Sequence, residues 1–326
     1  MKNFTSPRRE CLATAARWAT AATTAAMLGP LNARRSATAA EDVSSPTTTT
    51  PGAIDAHVHV WTPDLENYPL APGFSRADMQ PASFTAEQLF AHCRPHGVDR
   101  IVLIQMSYYG FDNRYMTDTI ARFPGVFSGV AIVDEHAPQL AKTMAKLATQ
   151  GVRGFRIHPA DQSLETWIGS AGMQSLWAAA AEQGLAVCPL INPEALPLID
   201  RMCRRYPQTR VVIDHFARIG IDGNPTDAQL DSLCRLAEHR QTYVKTSAFY
   251  ALGQKRPPYT DLAPMIRRVR DAFGAERLMW ASDCPFQVGP GHDYEQSIAL
   301  IRDRLDFLTD DERKAMLRRT AEQVYF

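Results

Sequence analysis

The chain has 326 residues, with 35 Lys and Arg against 35 Asp and Glu, so its formal charge at pH 7 is zero. That balance argues against nucleic acid, whose binding needs a basic surface to release counterions, and leaves no polybasic patch for a membrane. An apolar fraction of 45%, without an uninterrupted apolar run of about 18 residues, fits a soluble globular protein, with homo-oligomerisation left open and a small-molecule substrate expected only from the site residues.

Residues 1–40 read as a leader. Ser6-Pro7-Arg8-Arg9-Glu10-Cys11-Leu12 is similar to a twin-arginine export signal, and an Ala/Thr-rich run follows, ending in small residues at Ala37-Thr38-Ala39-Ala40. Arg17 interrupts that run and Arg34-Arg35 lies close to the cut. The expectation is export to the periplasm, with a cytoplasmic location as the alternative. Residues 41–52, with Thr47 to Thr50 and two prolines, read as a flexible linker. Six widely spaced cysteines include no Cys-x-x-Cys pair, so small core residues are expected rather than a disulfide framework or a thiolate metal site.

From residue 53 the chain alternates short apolar runs with amphipathic stretches. Ile54-Asp55-Ala56-His57-Val58-His59-Val60 alternates strictly, which predicts a strand with Asp55, His57 and His59 on one face. An apolar strand that turns two imidazoles and a carboxylate to one side is either placing ligands or carrying satisfied or surface histidines. Further strands are expected at 100–106, 126–133, 152–157, 185–191, 210–216, 242–247 and 277–282. Helices are expected at 85–96, 114–123, 138–150, 173–183, 193–206, 226–239, 262–273 and 293–305, and a last one at 310–325 behind a Thr309 cap. Eight strand–helix units in about 250 residues fit a single α/β domain, a (β/α)8 TIM barrel over 53–326. The competing open doubly wound sheet lacks a glycine-rich phosphate turn after the first strand. The Pro- and aromatic-rich segment 62–84 is longer than an ordinary βα loop, and its place after a strand puts it at the catalytic face, either as a cover or as a surface excursion.

Barrel enzymes collect catalytic groups at the carboxyl ends of their strands. Here those ends supply His57 and His59, then Arg156 and His158, Asn192, His215, Lys245 and Asp283, each after an apolar stem. Asp283 is a candidate general base toward water or a ligand for a divalent ion. Arg156 suits a carboxylate through two-pronged hydrogen bonding, with Arg153 as its alternative on the other face. Tyr108, Tyr109, Lys245 and Tyr250 are candidate pocket residues.

The segments Asp55-Ala56-His57-Val58-His59-Val60-Trp61, Val211-Val212-Ile213-Asp214-His215-Phe216 and Leu278-Met279-Trp280-Ala281-Ser282-Asp283-Cys284-Pro285 resemble the first, sixth and final strands of the amidohydrolase superfamily, in its lactonase and decarboxylase branch. Ala281 and Cys284 depart from the usual Trp-Gly-Ser-Asp-Trp-Pro, and Thr320 stands where the closing helix usually has Asn. The resemblance implies a hydrolase that opens a lactone or related cyclic ester of a carboxylate-bearing substrate. Asp283 would activate water; His57, His59 and His215 would stabilise the oxyanion; Arg156 would hold the carboxylate, with Tyr108, Lys245 and Tyr250 around the substrate. The alternative is a metal-dependent decarboxylase of an aromatic or unsaturated acid. The fifth strand ends without a histidine and the fourth without a lysine, so a binuclear centre is not expected. One divalent ion, zinc before others, held by His57, His59 and Asp283 with His215 or His158, is one expectation; metal-independent catalysis on the same residues is the other.

Overall fold

The computed structural model describes residues 52–159 and 163–326, so the leader (1–40) and nearly all of the linker (41–52) lie outside the described residues. All eight expected strands form: β1 (Ala53–Val58), β2 (Val98–Ile104), β3 (Phe127–Ala131), β4 (Val152–Ile157), β5 (Ala186–Pro189), β6 (Arg210–Ile213), β7 (Thr242–Ser247) and β8 (Leu278–Ala281). They pair in parallel in chain order, with helices between them, as a (β/α)8 TIM barrel. A parallel bridge between Val58 and Cys284 joins the ends of the sheet.

The inner cluster holds Ile54, Ala56, Val102, Ile104, Val130, Ala186, Cys188, Val212 and Met279, and the closing helix Thr320–Tyr325 adds Ala321, Val324 and Tyr325. The larger cluster lies between strands and helices and contains Val58 and Val60. Here the sequence reading needs correction. Ile54 and Ala56 belong to the inside, whereas Val58 and Val60 belong to the outside, because the β1–β2 register shifts between Asp55 and Val58. A bulge inserts one residue and exchanges the faces that follow it. Asp55 therefore does not share a face with the two histidines. It is sealed beside β8, accepting from Ser282 N at 2.9 Å and from Tyr294 OH at 2.7 Å, and burial pushes its carboxyl up to about 6.

Helix starts follow their capping residues. Thr85, Thr226 and Thr309 each accept from the backbone N–H three residues on, and Gln88, Gln229 and Glu312 return the bond. The helix expected at 173–183 begins at Ala171 behind Ser170, and a short helix, Leu164–Gly169, precedes it without having been anticipated. The stretch 310–325 is one helical run interrupted by a wider π turn at Ala315–Arg319. Cys93, Cys188, Cys203 and Cys284 are buried free thiols, and Cys234 is half-buried. Among the described residues, no helix is long and apolar enough to cross a membrane.

Candidate active site at the carboxyl ends of the strands

The seam between β8 and β1 builds the centre. Asp283 N donates to His57 O at 2.9 Å and His59 N donates to Cys284 O at 2.8 Å. Residues more than two hundred positions apart are thereby fixed side by side. Asp283 Oδ1 lies 3.5 Å from His57 Nε2 and 3.4 Å from His59 Nε2, and those two nitrogens are 3.3 Å apart. His215 joins from β6, with Nε2 3.8 Å from Asp283 Oδ2, and Tyr250 OH donates to the same oxygen at 2.8 Å.

The turns that aim these side chains are strained. After β6 the chain does not continue as a strand to Phe216, as the apolar run had predicted. It turns left-handed through His215, Phe216, Ala217 and Arg218, with φ between 51° and 59°. Ala248 after β7 (φ 56°) and Asp283 after β8 (φ 65°) share that conformation. Each such non-glycine residue costs on the order of 1–2 kcal/mol, and strain of this kind concentrates at functional sites.

A second layer backs the histidines. His59 Nδ1 lies 3.0 Å from Ile104 O, an acceptor only, so it carries the proton and leaves the Nε2 lone pair facing the centre. His57 Nδ1 lies 3.3 Å from Asp214 Oδ1 and 3.1 Å from Lys245 Nζ, and its Nε2 lies 2.9 Å from Arg156 Nη2, so each of its ring nitrogens has a cationic donor beside it. Asp214 is fully buried and also meets Lys245 Nζ at 3.0 Å and Arg156 Nη2 at 3.4 Å. Burial alone would raise its carboxyl, but the Lys245 ammonium above all holds it well below the usual carboxylate range. Burial and the nearby Lys245 push His57 down, and burial pushes His59 down and His215 down to about 4. For Asp283, burial opposes ionisation and the surrounding imidazoles outweigh it, so the carboxyl sits below its ordinary value.

The donor set fits a divalent cation. One ligand atom each from His57, His59 and Asp283 lies within 4.8 Å of the others. Asp283 Oδ1 is buried without a hydrogen-bond partner among the described residues. Two neutral imidazoles and a carboxylate are ordinary ligands for zinc, and Asp214 and Ile104 supply the outer contacts that such histidines need. Arg156 Nε, a donor, and Asp214 Oδ1, an acceptor, are likewise buried without a hydrogen-bond partner among the described residues.

Above the centre opens a cavity of about 2200 Å³, lined by His59, Arg156, His158, His215, Tyr250 and Asp283 among others. The long segment after β1 forms one wall, with Phe74 and Phe84 on the cavity and Trp61 Nε1 anchoring it to Pro81 O at 2.8 Å. A smaller cleft of about 400 Å³ lies at the outer helices around Arg267 and Phe307, away from these side chains.

Three sequence candidates fall elsewhere. Lys245 is wholly sealed beneath His57 and does not line the cavity, because the inward strand position it occupies is covered by the imidazole layer. Tyr108 packs edge-on against Trp61 and Phe74 and leaves the cavity wall to Tyr109, whose hydroxyl accepts from Thr62 N. Arg153 is spent on Ala148 O and Val152 O at the base of β4. Asp214 received no role from the sequence, although an ionisable residue directly before His215 at a strand end was a usable signal. Ser247, which accepts from His215 Nδ1 at 2.8 Å, was equally missed.

Comparison with known proteins agrees with this architecture. An amidohydrolase family pattern matches residues 54–326. An L-fucono-1,5-lactonase of Burkholderia ambifaria is 31% identical over 264 residues, covering 80% of this chain and 90% of that protein. A 2-pyrone-4,6-dicarboxylate hydrolase of Comamonas testosteroni is 28% identical over 244 residues, covering 72% and 77%. The crystal structure of a zinc-bound amidohydrolase from Burkholderia multivorans superposes with a TM-score of 0.72 at 21% identity, covering 84% of this chain and 98% of that one, a likeness of fold. Since the pattern spans the whole barrel and the lactonase likeness runs along most of both sequences, this chain belongs to the amidohydrolase family.

Proposed function

We propose that the protein is a hydrolase that opens a lactone or similar cyclic ester. One observation carries the reading: Asp283 Oδ1, buried and without a hydrogen-bond partner among the described residues, stands 3.5 Å from His57 Nε2 and 3.4 Å from His59 Nε2 at the floor of a cavity. The lactonase and pyrone hydrolase relatives support the same reaction class.

Asp283 takes a proton from water as the water oxygen bonds to the ester carbon. The ring carbon–oxygen bond then breaks, and the carboxyl returns the proton to the departing ring oxygen. One expected role narrows. His59 turns a lone pair, not an N–H group, toward the reacting atoms, so it does not donate to an oxyanion. That role falls to Arg156, whose Nε–H has no acceptor among the described residues. A substrate carboxylate competes for the same guanidinium. His57, His59 and Asp283 would hold a divalent ion, which would lower the pKa of bound water to about 7 and polarise the carbonyl.

The test is Asp283→Asn on a panel of lactones and unsaturated acids, with and without chelator. Lactone opening should fall on the order of 10³-fold while the melting temperature holds. Full activity in that variant refutes the assignment, and carbon dioxide release from an unsaturated acid would support the lyase alternative. Export through the Arg8-Arg9 leader is a separate proposal, supported by sequence alone and tested by cell fractionation.

A further inference from the structure

The buried layer of the cavity is divided by chemistry. Its ionisable groups, His59, Arg156, His215 and Asp283, come from the ends of β1, β4, β6 and β8. The ends of β2, β3 and β5 give that layer Met106, Ile132, Val133 and Ile191, all buried and none able to hydrogen-bond a hydroxyl, and only farther out add polar Asp134, Glu135, His136 and Asn192. The rim is mixed. Among the described residues only three large hydrophobic side chains are exposed, and two of them, Phe111 (58% exposed) and Ile221 (37%), line this cavity.

The volume points the same way. Pockets for small ligands usually measure about 300–1,000 Å³, and this one is about 2200 Å³. A compact polyhydroxylated ring seated at the floor would leave most of that space unfilled and would set hydroxyls against the buried aliphatic layer of Met106, Ile132, Val133 and Ile191, where a polar group without a partner loses its hydration for nothing. Exposed apolar side chains at the mouth of a cavity also mark where an apolar ligand enters or rests.

Resting on the lactone-hydrolase reading above, we infer that the substrate is an amphiphilic lactone. Its ester head lies over Asp283 and Arg156, and an alkyl or aryl body of several carbons runs along the β2–β3–β5 wall toward Phe111 and Ile221. This separates the chain's specificity from that of a sugar lactone, whatever chemistry the two share.

The experiment uses full-length protein and a homologous series of δ-lactones with alkyl tails from one to about eight carbons, beside a polyhydroxylated 1,5-lactone and a pyrone dicarboxylate. After correction for spontaneous opening, kcat/KM should climb by up to about fourfold for each methylene that reaches the wall. The longest member should exceed the polyhydroxylated lactone by on the order of 100-fold. Phe111→Ala should lower the ratio of long-tail to short-tail kcat/KM. A flat series, or preference for the polyhydroxylated lactone or the compact diacid, overturns the amphiphilic substrate and leaves the hydrolase reading intact. Failure to open any lactone of the panel overturns both.

Discussion

Asp214→Asn keeps the shape of a buried side chain and removes its charge. Lys245 is then left with a fully buried ammonium whose nearest carboxylate oxygen, 3.0 Å away, has gone. Breaking one side of such a pair costs about 3–5 kcal/mol, because the remaining charge is neither solvated nor neutralised. A barrel of about 270 residues unfolds with an entropy near 0.6 kcal/mol/K, so the melting temperature should fall by about 5–9 °C. Lys245→Met alone leaves Asp214 with His57 Nδ1 at 3.3 Å and Arg156 Nη2 at 3.4 Å. In the double variant no ammonium is stranded. The double variant should therefore be more stable than Asp214→Asn, with a coupling energy of about 2 kcal/mol or more. Urea and thermal unfolding of the three variants, followed by circular dichroism, measure it. A coupling below about 0.5 kcal/mol, the additivity of independent sites, would refute the claim that this ion pair secures the layer beneath His57.

Dialysis against a chelator followed by zinc titration should give one equivalent per chain, and His59→Ala should weaken that binding by at least about tenfold; unchanged affinity would remove His59 from the donor set. Thr309→Ala deletes a cap that accepts from Glu312 N at 3.2 Å and should cost about 1 kcal/mol, or about 2 °C in the melting temperature. An unshifted transition would mean that the closing helical run does not depend on its cap. Burial pushes the Cys93 and Cys203 thiols up to about 12. The reactive thiolate is therefore absent at both positions at pH 8, and raising the pH from 7 to 9 should not expose either to iodoacetamide in the native protein. Peptide mapping should find the half-buried Cys234 modified before them, and native-state labelling of Cys93 would contradict its sealed position.

The eight strands, most of the helices and the Thr309 cap were legible because their signals are local. Alternation at period two, amphipathic stretches at period 3.6 and Thr309 at a helix start all act within a few residues. His57, His59, His215 and Asp283 could be read as strand-end groups for the same reason: a polar residue after an apolar stem needs no knowledge of its neighbours.

What the sequence by itself determined was the barrel and the residue types at its carboxyl rim. Tertiary structure alone decided which of them meet, and in what protonation state. The bulge that parts Asp55 from His57 depends on pairing with β2, and nothing in the strict alternation of β1 announces it. The left-handed turn at His215 runs through four residues none of which is glycine, so no propensity marks it. Asp214 and Lys245 looked like two more polar strand residues; only their burial against each other and against His57 makes them the support of the imidazole layer. Local preferences are summed along the chain, whereas desolvation and charge pairing depend on what arrives from two hundred residues away.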